Sequence, residues 1–397
     1  MLTRRFGRTG LDMPVFSCGG MRFQQSWQDT GQPIEAEAQD SLAATVLASL
    51  EHGAVHLETA RGYGTSERQL GMLMPQLDSD KIILQTKIAP TPNPDEFEAE
   101  VLESLQRLQV LRVDLLALHG VNTWAKLWWS LRPGGCLARA RELQQRGLIG
   151  SVGFSTHAEL DLIMTALRHE GDGGFDYVNL HWYFIRQDNW PAIDEATRRD
   201  IGVFIISPSD KGGRLYDPPQ LLRELCAPLD PIVFNNAWCL AHEEVHTLSL
   251  GAGHPSDFQP IQPSLDALGQ PDLLATIEQR LAEAMCKAVG VTHPDHLAVG
   301  LPEWDVTPGF VNLRVIVWLR ALALGWGMKE YAQGRYRMLG NASDWFPGLS
   351  AARAPDWEAA IAKAVRGTAH GAAVPEWLAE AHELLGGESV QRLSTSS

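Results

Sequence analysis

The feature that most constrains this chain is an alternation. Up to about residue 262, short runs rich in β-branched residues take turns with longer stretches of 3.6-residue periodicity. Parallel strands joined by crossover helices produce that rhythm. Strands are expected at residues 15–18, 55–57, 82–87, 113–119, 149–155, 177–180, 203–207 and 245–250. Eight such strands predict a closed (β/α)8 barrel, an α/β fold of the TIM-barrel kind, which holds about 250 residues in one unit. An open doubly wound sheet shares the rhythm but normally carries a GxGxxG turn after its first strand, and here Gly19 and Gly20 are followed by Met21 and Arg22.

Local signals agree with the barrel. Asn93 can cap a helix whose first turn holds Pro94, Asp95 and Glu96 and whose apolar stripe is Phe97, Val101, Leu105 and Leu108. Gly53, after Leu50 and Glu51, marks the end of another. Beyond residue 262 the strand pattern stops, and helical periodicity is expected at 271–288, 310–326, 356–365 and 375–385. The expected organisation is therefore a barrel over 1–262 and an α-helical C-terminal region over 263–397. Six of the 13 Trp fall in that second region, enough aromatic area to pack it rather than leave it as a tail.

Composition narrows the function. With 45% hydrophobic residues in 397, the chain can bury a large core, and a formal net charge of -15 repels a phosphate backbone, so no nucleic-acid partner is expected. Cys18, Cys136, Cys226, Cys239 and Cys286 are far apart with no CxxC pair. That argues against a disulfide framework, a zinc knuckle and an iron-sulfur cluster, and for a reducing compartment. Arg4 and Arg5 precede no apolar leader segment, and the apolar stretch 310–326 is broken by Arg314 and Arg320, so a cytoplasmic protein without a membrane partner is expected.

In such a barrel, polar residues at the C-terminal ends of strands converge on one mouth. Glu58, Tyr63, Lys87 and His119 occupy successive strand ends or the loops that follow. Any one of them reads as ordinary strand-end polarity; the four together point to proton delivery. A phenol titrates near 10, so Tyr63 needs a cation to stabilise its phenolate. Lys87 can be that cation, Glu58 can hold it by an ion pair, and His119 can orient a carbonyl oxygen. With no nucleophile, thiol or metal-ligand cluster, the other half of the reaction falls to a bound cofactor, and hydride transfer fits.

The stretch HLETARGYGTSERQLG resembles the signature of the aldo-keto reductase family around its catalytic tyrosine, and the resemblance continues through LQRLQVLRVDLLALH to GFSTH. It implies that Tyr63 is the acid, that Lys87 lowers its pKa and that His119 binds the carbonyl oxygen, with Glu58 where the family normally has Asp. It further implies cofactor contacts from Ser155, from Thr156 in place of the usual Asn, from Asn179 in place of a frequent Gln, and from Ser207. Ile206 stands where many members stack a Tyr on the nicotinamide. The cofactor phosphates are expected at the loops after the seventh and eighth barrel strands, through Lys211, Gly212, Gly251 and Gly253. NADP(H) is the family's expectation and NAD(H) is admitted, since the second loop offers His254 and Asp257 rather than Lys or Arg.

The C-terminal region resembles a branch in which a ferredoxin-like segment holds four-iron clusters through CxxCxxCxxxCP runs. Residues 345–373 contain no Cys, so no cluster is expected there. The leading expectation is thus a nicotinamide-dependent reductase of a small-molecule aldehyde, ketone or sugar. The alternative is a nicotinamide-binding regulatory or scaffold protein with little turnover.

Overall fold

The computed structural model describes residues 1–341 and 345–388. The chain divides into two compact units, one formed by Met1–Tyr183, Asp188–Lys211 and Asn235–Gly269, the other by Phe184–Gln187, Gly212–Phe234 and the chain from Gln270 onward.

The first unit begins with an antiparallel pair, β1 (Thr3–Arg5) and β2 (Asp12–Pro14). Eight parallel strands follow: β3 (Phe16–Gly19), β4 (His56–Glu58), β5 (Ile83–Ile88), β6 (Val113–Leu118), β7 (Ile149–Ser155), β8 (Tyr177–Leu180), β9 (Gly202–Ile205) and β10 (Thr247–Gly251). They close in the order β10-β3-β4-β5-β6-β7-β8-β9. Every expected strand is present, β7 and β8 with the expected bounds and the others with ends displaced by at most two residues. Two ends differ for a local reason. β9 stops at Ile205 because Ser207 adopts a left-handed φ of 55°, and β10 begins at Thr247 because Val245 still closes a turn onto the His242 carbonyl at 3.1 Å.

Crossover helices follow their capping chemistry. After α1 (Ala36–Glu51) and α2 (Ser66–Leu73), α3 (Pro94–Leu108) starts where the Asn93 side chain accepts from the Asp95 N–H at 3.1 Å. It buries Phe97, Val101, Leu105 and Leu108, as its stripe predicts, and ends on left-handed Gln109. A shorter helix, α4 (Trp124–Leu131), is capped by Thr123 and follows the β6 strand end.

The β1–β2 pair is not evident from alternation, because each strand is three residues long. Its role comes from the residues it places. Phe6 and Met13 join Leu115, Ala117, Tyr177 and Phe204 in one buried cluster. Beside this cluster, Ser17, His56 and Thr247 form a buried hydroxyl–imidazole chain with spacings of 2.7 Å.

The second unit is helical; it includes most of the region in which helices were expected, together with Phe184–Gln187 and Gly212–Phe234 from the stretch assigned to the barrel. Its helices include Pro271–Val289, Leu313–Gly325, Lys329–Tyr336, Glu358–Ala364 and Val374–Leu385. The expected 310–326 helix starts later, because Asn312 accepts from the Val315 N–H and so caps it. Tryptophans anchor this unit: the indole of Trp326 donates to the Leu281 carbonyl at 2.9 Å, and that of Trp318 to the Ile185 carbonyl at 2.8 Å. Among the described residues no group of His, Cys, Asp and Glu is arranged to hold a metal ion.

Candidate active site

The barrel register sets Glu58 beside Gln85 and Lys87 beside Ala117, so the C-terminal ends of β4, β5 and β6 lie side by side. There Lys87 and Glu58 form a buried ion pair, and the Lys87 ammonium also donates to the Thr59 carbonyl at 2.9 Å. Gly19 leaves room for Ser249 beside the carboxylate: a Cβ there would lie 2.5 Å from Ser249 Oγ. Ser249 Oγ donates to Glu58 Oε2 at 3.5 Å. Burial pushes Lys87 well below the ordinary range of an ammonium, while the carboxylate in contact favours the charged form.

Tyr63 sits on a tight turn, its N–H bonded to the Ala60 carbonyl at 3.0 Å. Only glycine serves next in the chain, because Gly64 is left-handed and a Cβ there would collide with the Ser26 carbonyl. The Lys87 ammonium lies 4.4 Å from the Tyr63 ring centroid, and His119 meets the same ring edge-on at 5.6 Å between centroids. Burial pushes the phenol upward from its ordinary value, so the proton is firmly held. Burial first, then the charges of Lys87, Lys126 and Lys211, push His119 down to about 3. The imidazole is therefore neutral at physiological pH, able to donate from one nitrogen. The four residues singled out in the sequence are thus brought together.

A second group lies across β7 and β8. Ser155 pairs in register with Asn179. Ser155 Oγ accepts the Gly120 N–H at 3.0 Å, which leaves its O–H as a donor. Asn179 is fully buried, and neither its amide nitrogen nor its amide oxygen has a protein partner. An orphaned primary amide beside a hydroxyl donor fits a ligand carboxamide. Thr156 differs: its hydroxyl donates to the Val121 carbonyl at 2.8 Å and accepts from the Ala158 N–H at 3.0 Å, so it is committed to the backbone.

Two residues away on the Asn179 face, His181 bonds both Tyr183 Oη and His157 Nδ1, with the two imidazoles stacked at 4.4 Å. Lys211 Nζ lies 3.3 Å from His157 Nδ1 and 3.4 Å from His181 Nε2. The sequence reading missed both histidines; their two-residue offset along β8 and their place just after β7 were the available signals. Ser207 makes the turn that leads to Lys211, its carbonyl accepting the Lys211 N–H at 3.0 Å. Gly212 opens a segment of the second unit.

The last loop holds a further surprise. The amides of Gly253 and His254 are already taken by the Asp257 carboxylate, at 2.7 and 3.0 Å. The cation that the loop itself lacks comes from the far end of the sequence: Arg22 lies against Gly251 and Gly253, 3.5 Å from the Gly251 carbonyl through Nη1. Closure of β10 onto β3 makes this neighbourhood, and linear spacing could not reveal it.

Comparison with known proteins bears on this geometry. Residues 16–216 match the profile of the Aldo/keto reductase family. Aflatoxin B1 aldehyde reductase member 2 of Rattus norvegicus and that of Mus musculus are each 31% identical over 142 residues, which is 34% of this chain and 36% of the relative. The match thus spans about a third of those proteins. Among solved structures, the aldo-keto reductase AKR11C1 from Bacillus halodurans, in its holo form, is similar with a TM-score of 0.58 at 20% identity, covering 70% of this chain and 96% of that one. The thermostable aldo-keto reductase Tm1743, solved with the inhibitor epalrestat, gives 0.58 at 17% identity, covering 70% and 100%. At these identities the structural likeness speaks for the fold.

Proposed function

Because the chain belongs to the aldo/keto reductase family, we propose that it reduces a carbonyl compound to the alcohol, with a nicotinamide dinucleotide as hydride donor and Tyr63 as proton donor. The observation that carries the reading is the buried Lys87–Glu58 pair set against the Tyr63 ring, with His119 on that ring's edge. When bound, the nicotinamide supplies the hydride to the carbonyl carbon. Ser155 and Asn179 would hold its carboxamide, the one by its free O–H and the other by its unpartnered amide.

The chain's own residues do the rest. Neutral His119 donates a hydrogen bond to the carbonyl oxygen and fixes its direction. As negative charge grows on that oxygen, the Tyr63 O–H gives up its proton to it. The phenolate left behind is stabilised by the Lys87 ammonium, and Glu58 keeps that ammonium charged in spite of its burial. A preorganised cation at the point where charge develops is the usual source of such rate enhancement.

An aldehyde is the carbonyl we favour, by similarity to the relatives called aldehyde reductases. NADP(H) is the cofactor we favour, with Arg22 as the cation for a phosphate at the Gly251–Gly253 loop; the occupied amides of that loop are what speaks for NAD(H). A cytoplasmic setting is supported by five unpaired cysteines. No helix among the described residues is long and apolar enough to cross a membrane.

One variant tests the reading. Tyr63→Phe should lose about a hundredfold or more of carbonyl reduction, while quenching of Trp fluorescence by NADPH stays near wild type. Near-wild-type reduction by the folded variant removes Tyr63 from the mechanism. Cofactor quenching in a wild-type protein that reduces no carbonyl supports the low-turnover binding alternative, which the upward push on the Tyr63 phenol favours.

A further inference from the structure

Gly19 ends β3 and Gly20 follows it, yet the pair belongs to no GxGxxG turn. Each of the two has a close neighbour instead. A Cβ at Gly20 would lie 2.7 Å from the Glu58 carbonyl oxygen, to which the Gly20 N–H donates at 2.7 Å. A Cβ at Gly19 would lie 2.5 Å from Ser249 Oγ, 3.0 Å from the Leu250 carbonyl oxygen and 3.4 Å from Glu58 Oε2. The strands on either side of β3 in the closed ring are β10 and β4. The missing side chain at Gly19 is therefore the space in which Ser249 of the one meets Glu58 of the other.

Burial makes that meeting matter. Glu58 is 4% exposed and Ser249 5%, so the carboxylate has little water to turn to. Its Oε1 faces the Lys87 ammonium, and its Oε2 accepts from Ser249 Oγ at 3.5 Å. Among the described residues Glu58 is the one side-chain partner of this hydroxyl. A buried ion pair stays charged only when the hydrogen-bonding capacity left over from the pair is also served. The need is sharper for a glutamate, whose extra methylene adds a rotatable bond between strand and carboxylate.

Resting on the carbonyl-reductase reading above, we infer that Ser249 is a positioning residue for proton transfer from Tyr63. In the gap left by Gly19 it holds Oε2 of Glu58, which fixes the longer carboxylate and keeps Oε1 on the Lys87 ammonium. That ammonium, 4.4 Å from the Tyr63 ring centroid, stabilises the phenolate left when the proton moves to the carbonyl oxygen. Ser249 thus acts through Glu58 and Lys87 rather than on the substrate. Gly19, Ser249 and Glu58 form one set, and a shorter carboxylate at position 58 would leave Ser249 without its use.

The test is a double-mutant cycle over wild type, Ser249→Ala, Glu58→Asp and the double variant. Steady-state rates are measured with NADPH and a panel of short aliphatic and aromatic aldehydes, and urea midpoints on the protein without cofactor. Ser249→Ala should lower kcat roughly tenfold, as the loss of one hydrogen bond to a charged group. KM for NADPH and for the aldehyde should stay within about twofold of wild type. The solvent deuterium isotope effect on kcat should rise, because the proton transfer is the step that slows. In the Glu58→Asp background the same substitution should change kcat by less than about twofold, and the urea midpoint shifts of the single variants should not add. Additive effects on both kcat and urea midpoint overturn the inference while leaving carbonyl reduction standing. So does a Ser249→Ala variant that keeps the wild-type kcat and isotope effect. If wild type binds NADPH but reduces no member of the panel, the carbonyl-reductase reading falls and this inference with it.

Discussion

Two buried groups of the barrel obey opposite rules. In one, Phe6, Met13, Leu115, Ala117, Tyr177 and Phe204 meet in an apolar cluster, to which the hairpin that precedes the barrel contributes. At the C-terminal strand ends, β4, β5, β7 and β8 deliver Glu58, Lys87, Ser155 and Asn179, all buried and all polar or charged. Apolar burial contributes about 25 cal/mol per Å², so the apolar cluster stabilises the fold directly. Buried charge does the reverse, since desolvation of an ion costs several kcal/mol unless a partner is in place. The polar group is held in a costly arrangement by the stability of the apolar one, and the arrangement is useful because its charges cannot relax into water.

That contrast can be broken most sharply at Glu58. Glu58→Gln leaves the Lys87 ammonium buried without its partner, which should cost about 3–5 kcal/mol of stability as well as most of the carbonyl reduction. Glu58→Asp keeps the charge but shifts it by a methylene, and should fall between wild type and Gln in both respects. Denaturation with urea and steady-state rates on the folded fraction give the two orders. If Asp instead raises turnover above wild type and Gln changes little, the buried pair is not serving Tyr63, and the low-turnover alternative gains.

The apolar cluster should respond in one respect only. Phe6 packs on Tyr177 at 5.5 Å and on His246 at 5.6 Å between ring centroids. Phe6→Ala should cost about 3–4 kcal/mol by the cavity it leaves, with kcat/KM of the folded protein within about twofold of wild type. A large loss of rate at a temperature where the variant is fully folded would mean that the two groups are coupled, and the division drawn above would fail.

How much of this was legible beforehand follows the same division. The eight strands and the α3 cap were legible because they depend on local periodicity and on residues three or four apart. Glu58, Tyr63, Lys87 and His119 were legible because each follows a strand end that periodicity locates. What escaped was whatever barrel closure creates. Arg22 reaches Gly251 only because β3 pairs with β10, and His157 meets His181 only because β7 pairs with β8. The hairpin escaped for another reason: strands of three residues are too short to show an alternation, and Phe6 belongs to the connection between them.

His56, two residues before Glu58 on β4 and in ring contact with Phe204, touches both groups and offers the most graded test of the comparison. It is fully buried, its Nδ1 is 2.7 Å from Ser17 Oγ, and its ring lies 5.2 Å from that of Phe204. Burial chiefly, with the charge of Lys87 adding to it, pushes its pKa from the ordinary 6.5 down to about 3. An unfolded chain therefore takes up a proton at this residue between those two values while the folded chain does not. The sign follows: the contribution is fully present above about pH 6.5 and is progressively lost as the pH falls toward 3. One proton of difference corresponds to about 1.4 kcal/mol per pH unit. His246, pushed down to about 4, adds to the slope with the same sign. Unfolding free energies measured by urea at several pH values between about 6 and 4.5 should fall steeply in wild type. In His56→Gln, which keeps a polar group beside Ser17 but cannot titrate, the slope should be shallower by about one proton. An unchanged slope would mean that His56 is charged in the folded barrel, and the residues around Phe204 would then tolerate a buried charge that the apolar cluster is held to exclude.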